Sequence, residues 1–306
     1  MNGLERILAA VRFQPTDRLP AVPQLFGHAA VLAGVRLKDY LQDGALLARC
    51  QLSAQARYRH DAVFAFMDLS VETEAAGSVL RYHDEIYPDV AKYAFKPGDD
   101  VAKQRMPDPQ RDGRMPELLH AVSLLREEVN DQLLVAGSVV GPMTLATQLV
   151  GIEDALYFAA DEPDGFGELL DYATDVIISY GRAQVEAGAP LPVVFEPSAS
   201  PAVVPPAFFR EFLVPRLKRV FSAFRQDGAI ATWLDIAGPT APILPLHAEA
   251  GADIANFDYY VSATEAQQCL PRTCLDGNLK PLDFDESTPE QVFETAVALR
   301  DAFAER

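Results

Sequence analysis

Cysteine is scarce in this sequence, whose only three cysteines are Cys50, Cys269 and Cys274. An odd and sparse set provides no disulfide framework and fits a reducing cytoplasm. The sequence also lacks any run of about eighteen apolar residues, so no segment is expected to span a membrane. Its N-terminal stretch carries charges within its apolar part and has no signal-peptide core. These absences predict a cytoplasmic protein.

Positive charge is in short supply as well. The chain has 26 Lys and Arg against 44 Asp and Glu, a formal net charge of −18, and no cluster of basic residues. A nucleic-acid backbone would be repelled by such a surface, so we predict a small-molecule partner and no nucleic acid. The chain does have 306 residues that are 49% hydrophobic, enough to bury a large core. We expect residues 1–306 to form a single domain.

Short apolar runs alternate with longer amphipathic runs along the chain. Seven of the short runs are rich in β-branched and aromatic residues and bounded by Gly, Pro or Asp, which is typical of buried parallel strands. These predicted strands are 18–26, 62–68, 132–139, 191–197, 229–238, 253–260 and 272–279. Helical spacing of apolar residues predicts helices over 166–180, 206–226 and 289–304. The segment 78–95 alternates like a β-hairpin outside the main sheet.

Alternation of strands and helices over the whole chain predicts an α/β fold. Seven strands and a closing helix predict a (β/α)8 TIM barrel whose eighth strand is missing from the chain. The alternative is an open doubly wound sheet, but no glycine-rich dinucleotide loop follows any strand. The strands instead lead into turns that contain Asp, Glu-Pro or Gly-Pro. In a barrel, such turns build the active site at the carboxyl ends of the strands.

Six segments follow one another in an informative order: "ERILAAVRFQPTDRLPAVP", "DAVFAFMDLSVETEAAGS", "GPMTLATQLVG", "EPSASPAVVPPAFFREFLVP", "LDIAGPTAPILPLHAEAGADIANFD" and "DGNLKP". Together they resemble the uroporphyrinogen decarboxylase superfamily over nearly the whole chain. This superfamily includes the decarboxylase and the cobalamin-dependent methyltransferases related to methylcobalamin:coenzyme M methyltransferase. The resemblance implies the barrel fold for the whole chain.

The two branches differ in the turn after the first strand. In the decarboxylase this turn carries arginines that hold the carboxylates of the substrate, a task that suits the guanidinium group. Here the region reads "QLFGHAAVLAGVRLKDYL", with Arg36 as its only arginine. The segment therefore resembles the methyltransferase branch. That resemblance implies an enzyme that transfers a methyl group between a small methylated metabolite and a corrinoid carrier.

The zinc motif of the methyltransferases is degenerate in this sequence. The family resemblance implies zinc ligands from a His-x-Cys-Gly motif on the fifth strand and from a cysteine on the eighth. Here the motif becomes Asp235-Ile236-Ala237-Gly238, and the eighth strand would have to follow Arg306. We therefore expect no metal site, no zinc and no tightly bound cofactor. A corrinoid enters as the methyl carrier, a corrinoid protein is the expected partner, and a homodimer is left open.

Acidic side chains follow three of the predicted strands. Asp68, Glu196 and Asp235 come after the second, fourth and fifth strands, and we predict that they are catalytic. The predicted substrate-binding residues of the same rim are His28, Glu72, Glu74, Tyr259, Tyr260 and Asn278. Repulsion between converging carboxylates should raise the pKa of at least one of them. The alternative is that each carboxylate caps its own turn.

Two other functions fit parts of the pattern. Loss of the His-x-Cys pair favours a decarboxylase or lyase of a small or tetrapyrrole carboxylic acid, in which the mouth carboxylates transfer protons. It also favours a barrel that binds a corrinoid or a partner protein without catalysis, since a fold alone does not determine function. The corrinoid-dependent methyltransferase is the leading hypothesis because the overall similarity favours it.

Overall fold

A parallel sheet runs through the centre of the computed structural model, which describes residues 1–303. The strands are β1 (Ala62–Phe64), β2 (Val79–Arg81), β3 (Asp89–Lys92), β4 (Leu134–Val140), β5 (Leu191–Phe195), β6 (Trp233–Asp235), β7 (Ile254–Asn256) and β8 (Cys274–Asp276). Strands β1, β4, β5, β6, β7 and β8 pair in this order, all in parallel, while β2 and β3 form a separate antiparallel hairpin. The carboxyl ends of the parallel strands therefore share one face.

Helices connect the strands and cover the sheet. The α-helices are α1 (Gly3–Val11), α2 (His28–Leu32), α3 (Leu37–Tyr40), α4 (Gly44–Tyr58), α5 (Val71–Ala75), α6 (Met115–Val129), α7 (Pro142–Val150), α8 (Ile152–Asp161), α9 (Pro163–Ala187), α10 (Pro206–Phe208), α11 (Val214–Gln226), α12 (Leu244–Ala250), α13 (Ala263–Cys269), α14 (Asp283–Glu286) and α15 (Pro289–Ala302). Short 3₁₀ turns span Val101–Lys103, Pro197–Ala199 and Ala241–Ile243, and a π-helical turn, Phe209–Leu213, joins α10 to α11. None of the helices in the described part of the chain could cross a lipid bilayer.

The core consists of three apolar clusters, and side-chain alternation along the strands separates the two that meet at β5. On β5, Leu191, Val193 and Phe195 point into the cluster inside the curved sheet, while Val194 points into the cluster beneath the helices. This follows from strand geometry, because successive side chains leave opposite faces of the sheet. The inner cluster is aromatic, and the ring of Phe26 stacks at a centroid distance of 3.9 Å on that of Phe66. The carboxyl-end residues of the strands lie directly above this cluster.

The first predicted strand, 18–26, is wrong: this segment is extended but belongs to no sheet. Pro20 and Pro23 remove two of the amide donors that a strand ladder requires. The segment makes one backbone hydrogen bond beside β1, from the amide of Asp61 to the carbonyl of Ala21 at 2.8 Å. Beyond it, the chain turns inward and places Phe26 against the inner aromatic cluster.

The α/β fold of TIM-barrel type is confirmed. Six of the seven predicted strands are present as a curved parallel sheet, and the hairpin predicted within 78–95 is β2–β3. The closing helix predicted over 289–304 is α15, which ends at Ala302. Within residues 1–303, β8 is the last strand of the sheet, so one side of the barrel wall is open there.

Close packing of α9 on α11 yields a test of this fold. A Cβ atom on Gly181 would lie 2.2 Å from a ring carbon of Phe224, whose side chain is fully buried. We expect Gly181→Ala to lower the free energy of unfolding by about 1–3 kcal/mol, because the core must shift to admit the methyl group. Gly167 lies on the same helix, and its Cβ would meet only Arg216 Nη2, at 3.3 Å.

Gly167→Ala is thus the matched control and should be neutral or stabilising by up to about 1 kcal/mol, since alanine favours helices. Urea denaturation of the two variants measures the difference. Equal free energies of unfolding for the two variants would mean that α9 and α11 pack less closely at Gly181 than the structure shows.

Candidate active site

A polar layer crosses three neighbouring strands at their carboxyl ends. Trp233 and Ile254 on β6 and β7 face the inner cluster, as the strand register requires for adjacent partners. Two residues further along their strands, side chains return to the same face. This places Asp235, Asn256 and Asp276 above the inner cluster, with Asn256 and Asp276 opposite each other in the ladder. We call Asp235, Asn256 and Asp276 the polar layer.

Asp235 is almost fully buried and has an amide as its partner. The Nε2 of Gln24, in the inward-turning segment before α2, donates to Oδ2 of Asp235 at 2.6 Å. Burial raises the pKa of Asp235 to about 6; the nearby Asp258 carboxylate also raises it, and the bond from Gln24 lowers it. Asp258 itself accepts a hydrogen bond from the Gly238 amide at 2.8 Å, which ties the turn after β7 to the turn after β6.

Asp276 lies on the far side of Asn256 from Asp235. The Asp276 side chain is partly exposed, but the surrounding protein desolvates its carboxyl group. This desolvation and the charge of Asp235 raise its pKa, a hydrogen bond from the Asn256 side chain lowers it, and the net value is about 8. Two carboxyl groups in one layer disfavour double ionisation, so their pKa values separate. Near neutral pH this arrangement leaves Asp276 protonated and Asp235 ionised. The layer then contains both a hydrogen-bond donor and a proton acceptor.

Asp68 forms a buried ion pair with Arg114, the residue that precedes α6. Nη1 and Nη2 of Arg114 lie 2.5 and 3.1 Å from the two oxygens of Asp68, and Ser70 donates to the same carboxylate from its amide and hydroxyl. The Nε of Arg114 donates to Glu74 at 2.8 Å. The guanidinium also lies 5.2 Å from the ring centroid of Tyr82, whose hydroxyl donates to Glu74. Asp68 and Glu74 are therefore joined in one network.

Glu72 is buried next to this network. Its Oε1 accepts a hydrogen bond from the amide of Val140, at the end of β4, at 2.9 Å. Burial raises the pKa of Glu72 to about 7 against the effect of that bond. Glu72 and Asp68 line one narrow crevice together with Phe66, Ser138 and Phe195 at the end of the barrel.

Glu196 caps a helix that is not its own. Its carboxylate accepts hydrogen bonds from the amides of Met143 and Thr144 at 3.0 and 2.7 Å and from the Thr144 hydroxyl at 2.5 Å. These donors belong to the first turn of α7, where a carboxylate complements the helix dipole. A Cβ atom on Gly141 would lie 2.1 Å from Glu196, so only glycine leaves room for this cap. The arrangement favours a structural role for Glu196, although burial raises its pKa to about 7.

The remaining predicted binding residues lie around the layer or away from it. Tyr259 and Tyr260 are exposed after β7 and stack on each other with ring centroids 4.4 Å apart. The Nδ2 of Asn278 donates to the carbonyl of Val261 at 2.7 Å and thereby holds the same loop. His28 is exposed at the start of α2, 3.1 Å from the hydroxyl of Tyr58 on α4. Its described contacts include none of the carboxylates, and its predicted role in substrate binding stays a prediction.

The three predicted catalytic carboxylates thus separate into three environments: an ion pair for Asp68, a helix cap for Glu196 and the polar layer for Asp235. Sequence reasoning missed the partners Gln24, Asn256 and Arg114. A polar residue inside an apolar run was the only available signal for the first two, and nothing local marks Arg114 as buried. Asp276 carried a clear signal, since it is an acidic residue within the predicted strand 272–279, two residues beyond Cys274.

The residues of β6, the fifth predicted strand, and of the turn that follows it do not fit zinc. Ala237 has no donor atom, and the Oδ2 of Asp235 is taken up by Gln24. Throughout residues 1–303, no three His, Cys, Asp or Glu side chains are grouped so that they could hold a metal ion. Zinc sites in proteins need at least three such ligands. The donor set of this layer is instead suited to exchanging protons.

Comparison with known proteins gives a consistent family and fold. Residues 2–305 match the family model described as uroporphyrinogen decarboxylase (URO-D). The methylcobamide:CoM methyltransferase MtbA of Methanosarcina acetivorans is 27% identical over 97% of this chain and 88% of its own length. The methylcobamide:CoM methyltransferase MtaA of Methanosarcina barkeri is 30% identical over 90% of this chain and 81% of its own.

Similarity extends to a decarboxylase and to a solved structure. The uroporphyrinogen decarboxylase of Myxococcus xanthus is 28% identical over 91% of this chain and 81% of its own length. A solved methyltransferase structure from Methanosarcina mazei superposes with a TM-score of 0.90 at 25% identity, covering 99% of this chain and 90% of that one. The resemblance inferred from the six sequence segments is confirmed.

The ion pair between Asp68 and Arg114 leads to a stability prediction. Asp68→Asn leaves a buried guanidinium without its main counter-charge, and breaking such a pair costs about 3–5 kcal/mol. Glu74 still contacts Arg114 in this variant, so we expect the smaller value of this range. The free energy of unfolding, measured by urea denaturation, should fall by about 3 kcal/mol. The double variant Asp68→Asn/Arg114→Met should recover part of this loss. A stable Asp68→Asn protein would show that the pair is not a structural element.

The raised pKa of Asp276 predicts how stability depends on pH. The unfolded chain has an aspartate pKa of about 3.9, so the protonated group stabilises the fold at low pH and this contribution is lost as pH rises through about 8. Wild type should therefore lose stability relative to Asp276→Asn as the pH rises from about 4 to about 8, and the difference should stay constant above about pH 8. Denaturant midpoints across this range measure the effect. Asp154→Asn, an exposed change on α8, should run parallel to wild type, and parallel curves for Asp276→Asn would contradict the assignment.

Proposed function

Because the chain belongs to the uroporphyrinogen decarboxylase family, we propose that it is a corrinoid-dependent methyltransferase that moves a methyl group between a small methylated metabolite and a corrinoid carrier. The relatives named methylcobamide:CoM methyltransferase support this branch of the family, as does the solved Methanosarcina mazei methyltransferase.

One observation favours the methyltransferase over the decarboxylase. Neither Asp235 nor Asp276 has a cationic partner among residues 1–303: the groups that act on them are Gln24, Asn256, Asp258 and each other. A substrate with several carboxylates would bring more negative charge to this layer, which requires bound cations. Arg114, the buried cation of this end of the sheet, is already held by Asp68 and Glu74.

The carboxyl-end face is the side from which we expect the corrinoid to approach. In barrels of this type, reacting groups lie at that face, and in this chain it carries the polar layer. The exposed Tyr259–Tyr260 stack on its rim offers flat apolar rings beside the layer, a surface that suits a large planar ligand. We assign the corrinoid to a carrier protein and assign no tightly bound cofactor to this chain.

The proposal includes the setting of the protein. Residues 1–306 would act as one domain in the cytoplasm, in keeping with the three cysteines, which form no disulfide within the described residues. We propose no nucleic-acid partner, because the net charge of −18 disfavours binding to a negatively charged backbone.

Methylcobalamin and 2-mercaptoethanol provide a test that needs no knowledge of the natural metabolite. The purified protein should accelerate demethylation of methylcobalamin by the thiol, followed as the change in corrinoid absorbance. Asp154→Asn serves as the control variant and should retain the activity, since this side chain is exposed on α8.

Two results would replace the proposal. Release of carbon dioxide from uroporphyrinogen without any methyl transfer would identify a decarboxylase. Tight binding of methylcobalamin without any acceleration would identify a non-catalytic binding barrel.

A further inference from the structure

The polar layer contains two carboxyl groups that flank one amide side chain. Asp235 lies on one side of Asn256 and Asp276 on the other, on three adjacent strands. Each carboxyl group has a neutral side-chain amide as its partner, Gln24 for Asp235 and Asn256 for Asp276, and neither has a cationic partner among residues 1–303. Amide partners orient a carboxyl group without fixing its charge, because they hydrogen-bond to it in either protonation state.

Two buried polar atoms in and below the layer are left without partners. Among the described residues, neither Oδ1 of Asn256 nor Nε1 of Trp233 has a hydrogen-bond partner, although both atoms are buried. Trp233 is 2% exposed and faces the same inner side of β6 as Asp235, one layer below it. An unsatisfied buried donor or acceptor costs about 1–3 kcal/mol. Oδ1 of Asn256 therefore leaves a hydrogen-bond acceptor in the layer that a bound polar ligand would satisfy.

We propose that Asp235 is the proton acceptor for the methyl acceptor and that Asp276, in its neutral form, donates a hydrogen bond in the same site. This inference rests on the proposed methyl transfer and assigns the activating role to a pair of carboxyl groups, at the place where the family resemblance implies zinc. Ala237 has no donor atom, so the His-x-Cys ligand pair that the family resemblance implies is not present on β6.

The step balances with a methyl corrinoid and an uncharged thiol as the two reactants. The S–H bond breaks and its proton passes to the Asp235 carboxylate, while sulfur attacks the methyl carbon. The carbon–cobalt bond breaks with both electrons remaining on cobalt, and the new S–C bond completes a thioether. In reverse, protonated Asp235 returns the proton to the leaving sulfur. Catalysis of such proton transfers contributes about 10²–10⁴-fold in rate.

The acceptor should be uncharged when it binds. Asp235 is ionised near neutrality and Asp258 lies close enough to raise the pKa of Asp235, so a second anion would be repelled. No cation of residues 1–303 contacts Asp235 or Asp276 to offset this repulsion. A neutral thiol brings its own proton and avoids the penalty until the proton moves to Asp235.

Isosteric variants separate the two roles in the methylcobalamin and 2-mercaptoethanol reaction. Asp235→Asn cannot accept a proton, so the rate should fall about 100-fold or more. Asp276→Asn replaces the carboxylic acid donor by an amide donor, so its rate near pH 7 should fall by much less than that of Asp235→Asn, and the exposed change Asp154→Asn should leave the rate unchanged. If Asp235 and Asp276 were metal ligands, the two variants would lose activity to a similar extent, and a chelator that removes metal would abolish the wild-type rate. Either of these two results would overturn the proposal.

The dependence of the rate on pH is a second, independent test of the two roles. The wild-type rate, corrected for the reaction without protein, should rise as Asp235 ionises with a pKa of about 6 and fall as Asp276 ionises with a pKa of about 8. Asp276→Asn should retain the acidic limb and lose the alkaline one, because an amide does not ionise in this range. An unchanged alkaline limb in Asp276→Asn would overturn the role of Asp276.

A measurement without turnover separates failure of this inference from failure of the proposed function. Carboxyl NMR signals of isotope-labelled aspartate should include one that titrates near pH 8 and vanishes in Asp276→Asn. If this signal is present but methylcobalamin is never demethylated, the methyl-transfer proposal fails. If methyl transfer occurs and every aspartate titrates in the ordinary acidic range, the carboxyl pair is wrong and the methyltransferase stands.

Discussion

Neutralisation of buried negative charge is the constraint on which this structure depends. Among the described residues two arginines are buried, and each lies at one end of β1. Arg6 holds Asp61 just before the strand, and Arg114 holds Asp68 just after it. A buried carboxylate without such a partner shifts toward its protonated form, because desolvation disfavours the charge. At the carboxyl end of the sheet there are more buried acids than cations among the described residues, and the pKa values of several of those acids are raised.

The strand geometry decides which acids these are. Asp68 and Glu74 surround Arg114, and Glu196 is satisfied by the amides at the start of α7. Glu72, Asp235 and Asp276 remain. Glu72 accepts a hydrogen bond from the Val140 amide beside the Asp68 network, whereas alternation along β6 and β8 turns Asp235 and Asp276 toward the barrel interior. Their pKa values of about 6 and about 8 have the same main cause, burial, and differ in their neighbours. Chemistry that moves a proton is therefore available in the polar layer without an added ion.

The sequence alone was enough to predict the α/β barrel, because parallel buried strands leave a local signature of short apolar runs. It misplaced a strand at 18–26, where the apolar pattern was strong but Pro20 and Pro23 remove ladder donors. The rim position of Asp235 also followed from its place after a strand. Its partner did not: Gln24 lies 211 residues away in the chain, and no local pattern reports such a contact. Burial of Arg114 was hidden for the same reason.

A carboxylate at Asp235, where the family resemblance implies a zinc ligand, changes what the position can do, because a carboxylate and a zinc ion activate an acceptor differently. Zinc stabilises a thiolate by direct charge and needs several converging ligands. A carboxylate only has to be a strong enough base, which burial and a like-charged neighbour provide by raising its pKa. Such a base needs one orienting partner, and Gln24 supplies it to Asp235. The loss of a donor at Ala237 is then compatible with a working site, since a proton acceptor requires no second ligand on the same strand.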